Sequence, residues 1–136
     1  MITGKEAEIP NTINVYAKNR KQFSEPISNF QGVQFMLAEM ATQIYTTESI
    51  VYRTAQDYDN QTMLGRQAAI VKYVASEAMH KCADLAMQVH GGMGFSKELP
   101  IERYYRDSRI NKIFEGTNEI QKLIIARDVI KRNGML

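Results

Sequence analysis

The sequence predicts an all-α domain, an antiparallel four-helix-bundle-like arrangement with short extra helices. Apolar residues recur at intervals of three and four over two long stretches, which is the period of a helix with one buried face. No segment shows the apolar and polar alternation that is typical of a strand. Long helices joined by short connections bury their apolar faces by packing side by side, so a bundle is expected.

The composition indicates one globular domain without a nucleic-acid partner. Of the 136 residues, 44% are hydrophobic and 24% are charged, as in ordinary folded domains. We therefore assign residues 1–136 to a single domain and expect residues 1–10 to be irregular. Seventeen basic and fifteen acidic residues give a net charge of +2, which is too small for the electrostatic footprint of a DNA-binding or RNA-binding protein.

No targeting segment, membrane span or metal site is indicated. Residues 1–10 lack the patterns of secretory and organellar targeting peptides. No stretch reaches the roughly 18 consecutive apolar residues that a spanning helix needs. Cys82 is the single cysteine, so nothing demands an oxidising compartment. We expect a cytoplasmic location, with the mitochondrial matrix as the alternative.

The first predicted helix is short, and a long one follows it. Ile13, Tyr16 and Ala17 share one helical face, and Pro10 is expected to mark the start because an interior proline breaks a helix. The long second helix is predicted from near Pro26, since proline is favoured at a first helical position. Its apolar positions are Val33, Leu37, Met40, Ile44, Val51, Ala55 and Tyr58.

The third predicted helix begins after a polar break. Polar residues at 57–61 interrupt the apolar pattern, which resumes after Gly65. The apolar positions of this helix are Val71, Ala75, Ala78, Cys82, Leu85 and Val89. The helix is expected to end at Gly91 and Gly92, because glycine readily takes the left-handed conformation of a helix cap.

Two shorter helices complete the prediction. Pro100 is expected to open a helix that runs through Tyr105, and Thr117 is expected to cap a last helix that Gly134 stops. The apolar positions of the last helix are Ile120, Leu123, Ala126 and Ile130. Residues 90–100 are expected to be irregular.

The second irregular stretch, residues 111–116, carries the candidate chemistry, because loops on rigid scaffolds present functional groups. Phe114, Glu115, Gly116 and Thr117 place a carboxylate beside a flexible residue, just ahead of a helix. Taken alone, Glu115 is most simply a solvated loop acid or a carboxylate near a helix dipole. A chemical role for it depends on the neighbouring motifs.

Several motifs follow one another in a fixed order. The later part of the chain contains QVHGGMGF at 88–95, ELPIER at 98–103, YRDSRI at 105–110 and IFEGTNEIQ at 113–121. The earlier part contains YA at 16–17, RKQF at 20–23, PI at 26–27, FQ at 30–31 and LAEM at 37–40. This series resembles the signature of the acyl-CoA dehydrogenases from about Gly4 to Arg127, nearly the whole chain.

The resemblance implies a flavoenzyme of fatty acid β-oxidation. Enzymes of this family oxidise an acyl-CoA thioester to the trans-2-enoyl product and pass the electrons to an electron-transferring flavoprotein. Glu115 falls on the family's base, which removes the α-proton while FAD accepts a hydride from the β-carbon. Phe114 and Gly116 are the implied substrate contacts, the first as an apolar wall and the second permitting close approach. A base on this loop favours the straight-chain type of enzyme.

The resemblance also implies two groups of FAD contacts. Thr117 and Glu119 correspond to positions that contact the FAD of the same subunit. Six residues correspond to positions that reach the FAD of a neighbouring subunit, namely Arg20, Gln22, Phe23, Gln31, Gln88 and Gly92. The guanidinium of Arg20 matches a pyrophosphate in charge and geometry. A shared flavin site implies a homo-oligomer, either a dimer or a tetramer.

Three further features are interpreted as structural. The charged residues at 106–109 are expected to form an ion-pair network that orders a loop. His90 is expected to be packed or to cap a helix. Glu77 and His80 have the Glu-x-x-His spacing of di-iron bundles, but such a site needs this motif twice. We therefore assign no metal site.

The chain departs from the family in two local features and in extent. Relatives usually have glycine after Phe23, where this chain has Ser24, and Pro10 falls where relatives continue a helix. The family's N-terminal helical domain and middle β-domain are absent, so this chain is not expected to turn over substrate by itself. The alternative function is a non-catalytic helical assembly module derived from the family, which keeps the oligomer contacts and performs no redox chemistry.

Overall fold

Six α-helices and one small hairpin make up the part of the chain that the computed structural model describes, the backbone of residues 8–132 with side chains from residue 12 onward. The helices are α1 (Glu8–Asn19), α2 (Gln31–Asp59), α3 (Gly65–His90), α4 (Gly92–Phe95), α5 (Ile101–Ile110) and α6 (Asn118–Arg132). Strands β1 (Lys21–Gln22) and β2 (Glu25–Pro26) and a 3₁₀ helix (Ile27–Asn29) join α1 to α2.

Helix α3 is the centre of the domain and contacts all the other helices. It carries eleven buried residues, whereas the longer α2 carries two. Five of the eleven are alanines, at positions 69, 75, 78, 83 and 86. Because alanine side chains are small, neighbouring helices can approach the α3 backbone closely on several sides.

Helix α2 lies antiparallel to α3. The ammonium of Lys81 is 3.3 Å from the carboxylate of Glu39. Near the end of α2 and the start of α3, Nε2 of Gln67 donates to Oδ2 of Asp57 over 2.7 Å. Glu39 precedes Asp57 in α2, whereas its partner Lys81 follows Gln67 in α3, so the two helices run in opposite directions. The turn at residues 60–64 is therefore a helical hairpin, as predicted.

Helices α5 and α6 also run antiparallel to α3 and follow one another along it. Nδ1 of His80 lies 2.8 Å from Oγ of Ser108 in α5. Nη1 of Arg66, in the first turn of α3, lies 3.0 Å from Oδ2 of Asp128, near the end of α6. Helix α5 thus covers the later half of α3 and α6 the earlier half. The predicted antiparallel bundle with short extra helices is confirmed.

The start of the chain differs from the prediction in two places. Helix α1 begins at Glu8, so residues 8–10, which were expected to be irregular, are helical. Pro10 is tolerated because the N–H groups of a first helical turn have no partner within the helix. Helix α2 begins at Gln31 and not near Pro26, because the β hairpin and the 3₁₀ helix occupy the residues between. The expectation for residues 1–7 lies outside the described residues.

Helix α5 extends five residues beyond Tyr105, the predicted end, to Ile110. Helix α6 begins after Thr117 as predicted, whereas its predicted end at Gly134 lies outside the described residues. The apolar face predicted for α6 is exposed at Ile120, Leu123, Ala126 and Ile130. The buried residues of α6 are the polar Asn118 and Gln121, because both find hydrogen-bond partners in the fold. Among residues 8–132, no helix is long and apolar enough to cross a membrane.

Candidate functional site

The loop between α5 and α6 holds its central residue in a strained conformation. Glu115 has φ +53° and Gly116 has φ +90°, both in the left-handed region. Glycine takes this conformation freely, but for glutamate it is unfavourable, and such residues concentrate at functional sites. The Glu115 side chain is exposed, and the neighbouring Phe114 is 45% exposed. The predicted base therefore stands outside the core, beside an aromatic ring.

The side chain of Gln121, in α6, holds the backbone of this loop. Its Nε2 atom donates to the backbone oxygen of Gly116 over 3.2 Å and lies 3.4 Å from the backbone oxygen of Glu115. The side chain is 8% exposed, so these hydrogen bonds are sheltered from solvent. A Cβ atom at Gly116 would lie 2.8 Å from the same Nε2 atom. A side chain at position 116 would therefore be strained by the backbone conformation and would force the Gln121 amide to shift.

A carboxylate on α3 joins the two sides of the loop. Oε2 of Glu77 accepts from Nζ of Lys112 over 2.6 Å, and Oε1 accepts from Nδ2 of Asn118 over 2.8 Å. Burial acts to raise the pKa of Glu77, but the hydrogen bonds from Lys112 and Asn118 and the charge of Lys112 outweigh it and lower the pKa. Glu77 is therefore held as a carboxylate at neutral pH.

Asn118 is the buried centre of this network, with 3% of its surface exposed. Its Oδ1 atom accepts from Nζ of Lys72 and from Oγ of Ser76, each over 2.9 Å. Its backbone N–H donates to the backbone oxygen of Lys112 over 3.0 Å. Both ends of the amide are thus satisfied, as a buried polar group requires.

The predicted same-subunit flavin residues lie next to the loop. Oγ1 of Thr117 accepts from the backbone N–H of Ile120 over 3.3 Å, which confirms Thr117 as the N-cap of α6. Glu119 is exposed in the first turn. Hydrogen bonds from its own backbone N–H and from Thr117 lower the pKa of Glu119. Its charge also suits the positive end of the helix dipole.

A second surface is formed by the hairpin between α1 and α2. Phe23 and Ser24 have φ +51° and +70°, so β1 and β2 are joined by two left-handed residues. The turn therefore forms with serine where relatives usually have glycine. Phe23 is 88% exposed and meets Phe30 edge to face, with ring centroids 6.1 Å apart. Arg20 and Gln22 are also exposed on this hairpin.

The end of α3 adjoins α1, and thus lies near the hairpin that follows α1. His90 stacks on Tyr16 with ring centroids 4.1 Å apart, and it is 4% exposed. The prediction that His90 is packed is therefore confirmed. Gly91 ends α3 with φ +56°, and nothing lies within 4 Å of a Cβ placed on Gly92. The backbone at Gly92 is therefore accessible beside the exposed side chain of Gln88.

The structure thus divides the predicted site residues between two regions of α3. Glu115, Thr117 and Glu119 lie near its middle, where Asn118 contacts Ser76. The other predicted flavin residues lie just after α1, at the start of α2 or around the end of α3. They are Arg20, Gln22, Phe23, Gln31, Gln88 and Gly92. Twelve residues separate Ser76 from Gln88, which is roughly 18 Å along a helix. Within the described residues 8–132, the two groups therefore lie far apart along α3.

Sequence reasoning missed the hydrogen-bond network that Glu77 and Asn118 form next to the Glu115 loop. Glu77 was considered only as a metal ligand together with His80, but the two side chains have different partners, Lys112 with Asn118 and Ser108 respectively. The sequence did offer one signal, the motif at 113–121. Its amide residues Asn118 and Gln121 lie in the first turn of a predicted helix, where their side chains could point inward. The ion-pair network predicted among residues 106–109 is wrong, because within residues 12–132 Arg106 pairs with Glu102 over 3.8 Å and not with Asp107.

The exposed groups near the end of α3 fit a flavin dinucleotide chemically. Arg20 supplies a cation for a phosphate, glutamine side chains supply neutral hydrogen-bonding groups, and Phe23 supplies an exposed ring. The open backbone at Gly92 leaves room for a ligand to approach. Nε2 of His90 is buried without a hydrogen-bond partner, so this region retains an unused polar atom.

Comparison with known proteins identifies the family. The family model described as acyl-CoA dehydrogenase, C-terminal domain, matches residues 5–130. The short-chain specific mitochondrial acyl-CoA dehydrogenase of Bos taurus is 44% identical over 116 residues, 85% of this chain and 28% of that protein. The 3-(aryl)acrylate reductase of Clostridium sporogenes is 42% identical over 85% of this chain and 31% of that protein.

A solved structure agrees. The butyryl-CoA dehydrogenase of Megasphaera elsdenii superposes with a TM-score of 0.90 at 34% identity, covering 95% of this chain and 34% of that one. The chain thus spans about a third of the length of the relatives it matches. Because the sequence match and the helical fold agree, the chain belongs to the acyl-CoA dehydrogenase family and corresponds to its C-terminal helical domain.

Proposed function

We propose that this chain supplies the proton-abstracting base and part of the flavin site of an FAD-dependent acyl-CoA dehydrogenase, with Glu115 as the base. The observation that carries the proposal is the geometry of the loop. Glu115 is held in a left-handed conformation by a buried glutamine, and its carboxylate remains exposed. A solvated loop acid needs no such strain, whereas a base must be held in one productive position.

The proposed reaction is the α,β-dehydrogenation of an acyl-CoA thioester. The Glu115 carboxylate would accept the α-proton, and the half-exposed Phe114 ring would form an apolar wall that excludes water from the acyl chain. Gly116 lets the loop backbone approach the thioester, because it has no side chain. The Glu115 side chain is exposed on this chain, so the pocket would be closed by protein outside it.

The two groups of predicted flavin residues would hold FAD on two sides. Thr117 and Glu119 would contact the flavin that works with Glu115, while Arg20 and the other residues near the end of α3 would contact that of a neighbouring subunit. When bound, FAD supplies the hydride acceptor of the reaction. This division makes a homo-oligomer, a dimer or a tetramer, part of the site. An electron-transferring flavoprotein would accept the electrons, in the cytoplasm or the mitochondrial matrix.

The reductive direction is a second candidate, because one relative of comparable identity is named a 3-(aryl)acrylate reductase. The same residues serve both directions, since the group that removes the α-proton in oxidation must return it in reduction. Glu115 would then donate the proton to the α-carbon. Assays in both directions with saturated and unsaturated acyl-CoA thioesters distinguish the two candidates.

Substitution of Glu115 tests the base role. The assay uses a fusion in which this chain replaces the C-terminal third of the Megasphaera elsdenii butyryl-CoA dehydrogenase, with thioester-dependent dye reduction as the readout. In the Glu115→Gln variant, kcat is expected to fall about 10²- to 10⁴-fold, because glutamine cannot accept the proton. The matched control is Glu48→Gln, at an exposed position on α2. Near-normal turnover of Glu115→Gln would remove Glu115 from the base role.

The assembly-module alternative is tested by flavin binding. The absorbance spectrum of the chain is recorded before and after addition of FAD, and its oligomeric mass is measured in the same samples. Shifted flavin bands that weaken in an Arg20→Ala variant would favour the enzyme, because Arg20 is the proposed phosphate contact. A folded oligomer that leaves the flavin spectrum unchanged, together with an inactive fusion, would favour an assembly module.

A further inference from the structure

We infer that Glu77 is a positioning residue for the base, because its carboxylate joins the two chain segments that enclose the Glu115 loop. The catalytic part of this inference rests on the proposed function. Glu77 belongs to α3, whereas Glu115 lies between α5 and α6, so the sequence separation is large. Glu77 acts through its partners, Lys112 before the loop and Asn118 after it.

One carboxylate, that of Glu77, binds both ends of the loop. Its two oxygens accept from Lys112 and from Asn118 over 2.6 and 2.8 Å. The backbone N–H of Asn118 also donates to the backbone oxygen of Lys112 over 3.0 Å. Residues 113–117 therefore form a closed loop whose two ends are fixed to the middle of α3. Hydrogen bonds that involve charged groups are roughly twice as strong as neutral ones.

The orientation of the Asn118 side-chain amide is determined by its surroundings. The Oδ1 atom faces the Lys72 ammonium and the Ser76 hydroxyl, and the Nδ2 atom faces the Glu77 carboxylate. A flipped amide would place its NH₂ group against a cation and its oxygen against an anion. Because Asn118 is 3% exposed, water cannot compensate for such a flip. The chain therefore enters α6 in one orientation.

A side chain of α6 holds the backbone of Glu115 and Gly116. Gln121, one turn after Asn118, holds the backbone oxygens of Glu115 and Gly116. A glutamate with φ +53° is maintained only where the surrounding structure imposes it. Glu77 thus holds the two ends of the loop, and Gln121 holds its backbone at residues 115 and 116. If the contacts of Glu77 are lost, Glu115 should be able to relax out of this conformation. A displacement of about 1 Å at a reacting group can reduce the rate about a hundredfold.

Hydrogen exchange of the full chain tests the anchoring without reference to activity. The variant Glu77→Gln has nearly the same shape, but its amide can accept from Lys112 or Asn118 through one oxygen only. The matched control is Glu39→Gln in α2. It removes a half-exposed ion pair with Lys81, which lies in α3 as Glu77 does. Amides of residues 113–117 are expected to exchange at least about tenfold faster in Glu77→Gln and unchanged in Glu39→Gln.

A second variant guards against misfolding. Lys112→Met removes one contact of the carboxylate and leaves the contact with Asn118, and it should accelerate exchange in the same residues. Thermal unfolding measured by circular dichroism shows whether each variant is folded. Unchanged exchange of residues 113–117 in folded Glu77→Gln and Lys112→Met variants would overturn the anchoring role.

The catalytic consequence is measured in the fusion with the Megasphaera enzyme. In Glu77→Gln, kcat is expected to fall about ten- to a hundredfold while KM changes less than about twofold, because Glu115 is displaced while most of the substrate pocket would lie outside the loop. The isotope effect with α-deuterated substrate should rise, since proton removal becomes slower. A general loss of stability would not produce this combination in the folded enzyme.

The outcomes separate the inference from the proposed function. If Glu115→Gln retains activity, the proposed function fails, whereas the exchange data still decide whether Glu77 anchors the loop. If Glu115→Gln is inactive and Glu77→Gln resembles Glu39→Gln in kcat, isotope effect and exchange, the inference about Glu77 alone is wrong. Faster loop exchange with an unchanged kcat would restrict Glu77 to a structural role and overturn the positioning claim.

Discussion

The imidazole of His90 stacks on the ring of Tyr16, with centroids 4.1 Å apart and ring planes inclined by 29°. Nδ1 of His90 lies 2.8 Å from the backbone oxygen of Ala86, and Nε2 is buried without a hydrogen-bond partner. This contact joins α1 to the end of α3. Protonation would place a charge in this buried contact, so burial lowers the pKa of His90 below its usual 6.5.

The stability of the fold should therefore fall as the pH drops below 6.5. A histidine whose pKa is lower in the folded state stabilises the fold above the unfolded pKa, and this contribution is lost as pH falls. Burial lowers the pKa of His80 as well, which adds to the effect. Thermal midpoints measured from about pH 7.5 to about pH 5.5 should decrease, and less so in His90→Phe, which keeps the stacked ring. An equal decrease in His90→Phe would contradict the assignment.

Gly116→Ala should destabilise the loop between α5 and α6, which carries Glu115. The residue has φ +90°, and the added Cβ would lie 2.8 Å from Nε2 of Gln121. We expect a loss of about 1 to 3 kcal/mol in the free energy of unfolding, measured by urea denaturation. The control is Gly32→Ala in the first turn of α2, where nothing lies within 4 Å of the new atom and the change should be neutral or stabilising. Similar values for both variants would refute the steric argument.

Ser24→Gly should stabilise the hairpin that carries Arg20 and Phe23. Ser24 has φ +70°, a conformation that costs a residue with a side chain about 1 to 2 kcal/mol and costs glycine far less. A gain of about 1 kcal/mol in the free energy of unfolding is expected by urea denaturation. Ser24→Ala serves as the control, because alanine keeps the unfavourable conformation. A gain in both variants would point to the loss of the hydroxyl and not to the backbone.

Thr117 substitutions should separate helix capping from flavin contact. Its hydroxyl accepts from the N–H of Ile120, so Thr117→Ala should reduce the free energy of unfolding by about 1 kcal/mol. Thr117→Ser keeps an equivalent oxygen and should restore stability. Chemical denaturation measures the cap, and FAD titration of the fusion measures flavin affinity. Loss of flavin affinity in Thr117→Ala without any loss of stability would contradict the capping role.

The order of the helices was predictable because it depends on local signals. The apolar period of α3 and the left-handed residue Gly91 at its end fixed one long helix in the sequence, and the structure confirms both. The start of α2 was not predictable in the same way. Pro26 is compatible with a helix start, but the hairpin and the 3₁₀ helix depend on packing of Ile27 against the core.

The exposed and buried sides of the helices were less predictable. Tyr58 of α2 and Ile130 of α6 fit the apolar pattern and are 67% and 74% exposed. Asn118 and Gln121 are polar and buried. A periodic pattern measures which residues share a face, but the choice of the buried face depends on which partners the other helices provide.

The sequence by itself determined the family, the helical class and the identity of the base candidate, because ordered motifs and helical periods are local properties of the chain. The left-handed conformation of Glu115, its hold by Gln121 and the role of Glu77 required the tertiary structure. Glu77 joins α3 to residues that follow α5, about 40 positions later, and the Gln121 side chain turns back to the loop only because α6 is packed against α3. Hydrogen-bond geometry between such distant segments has no local signature, so only the packing of the helices decides it.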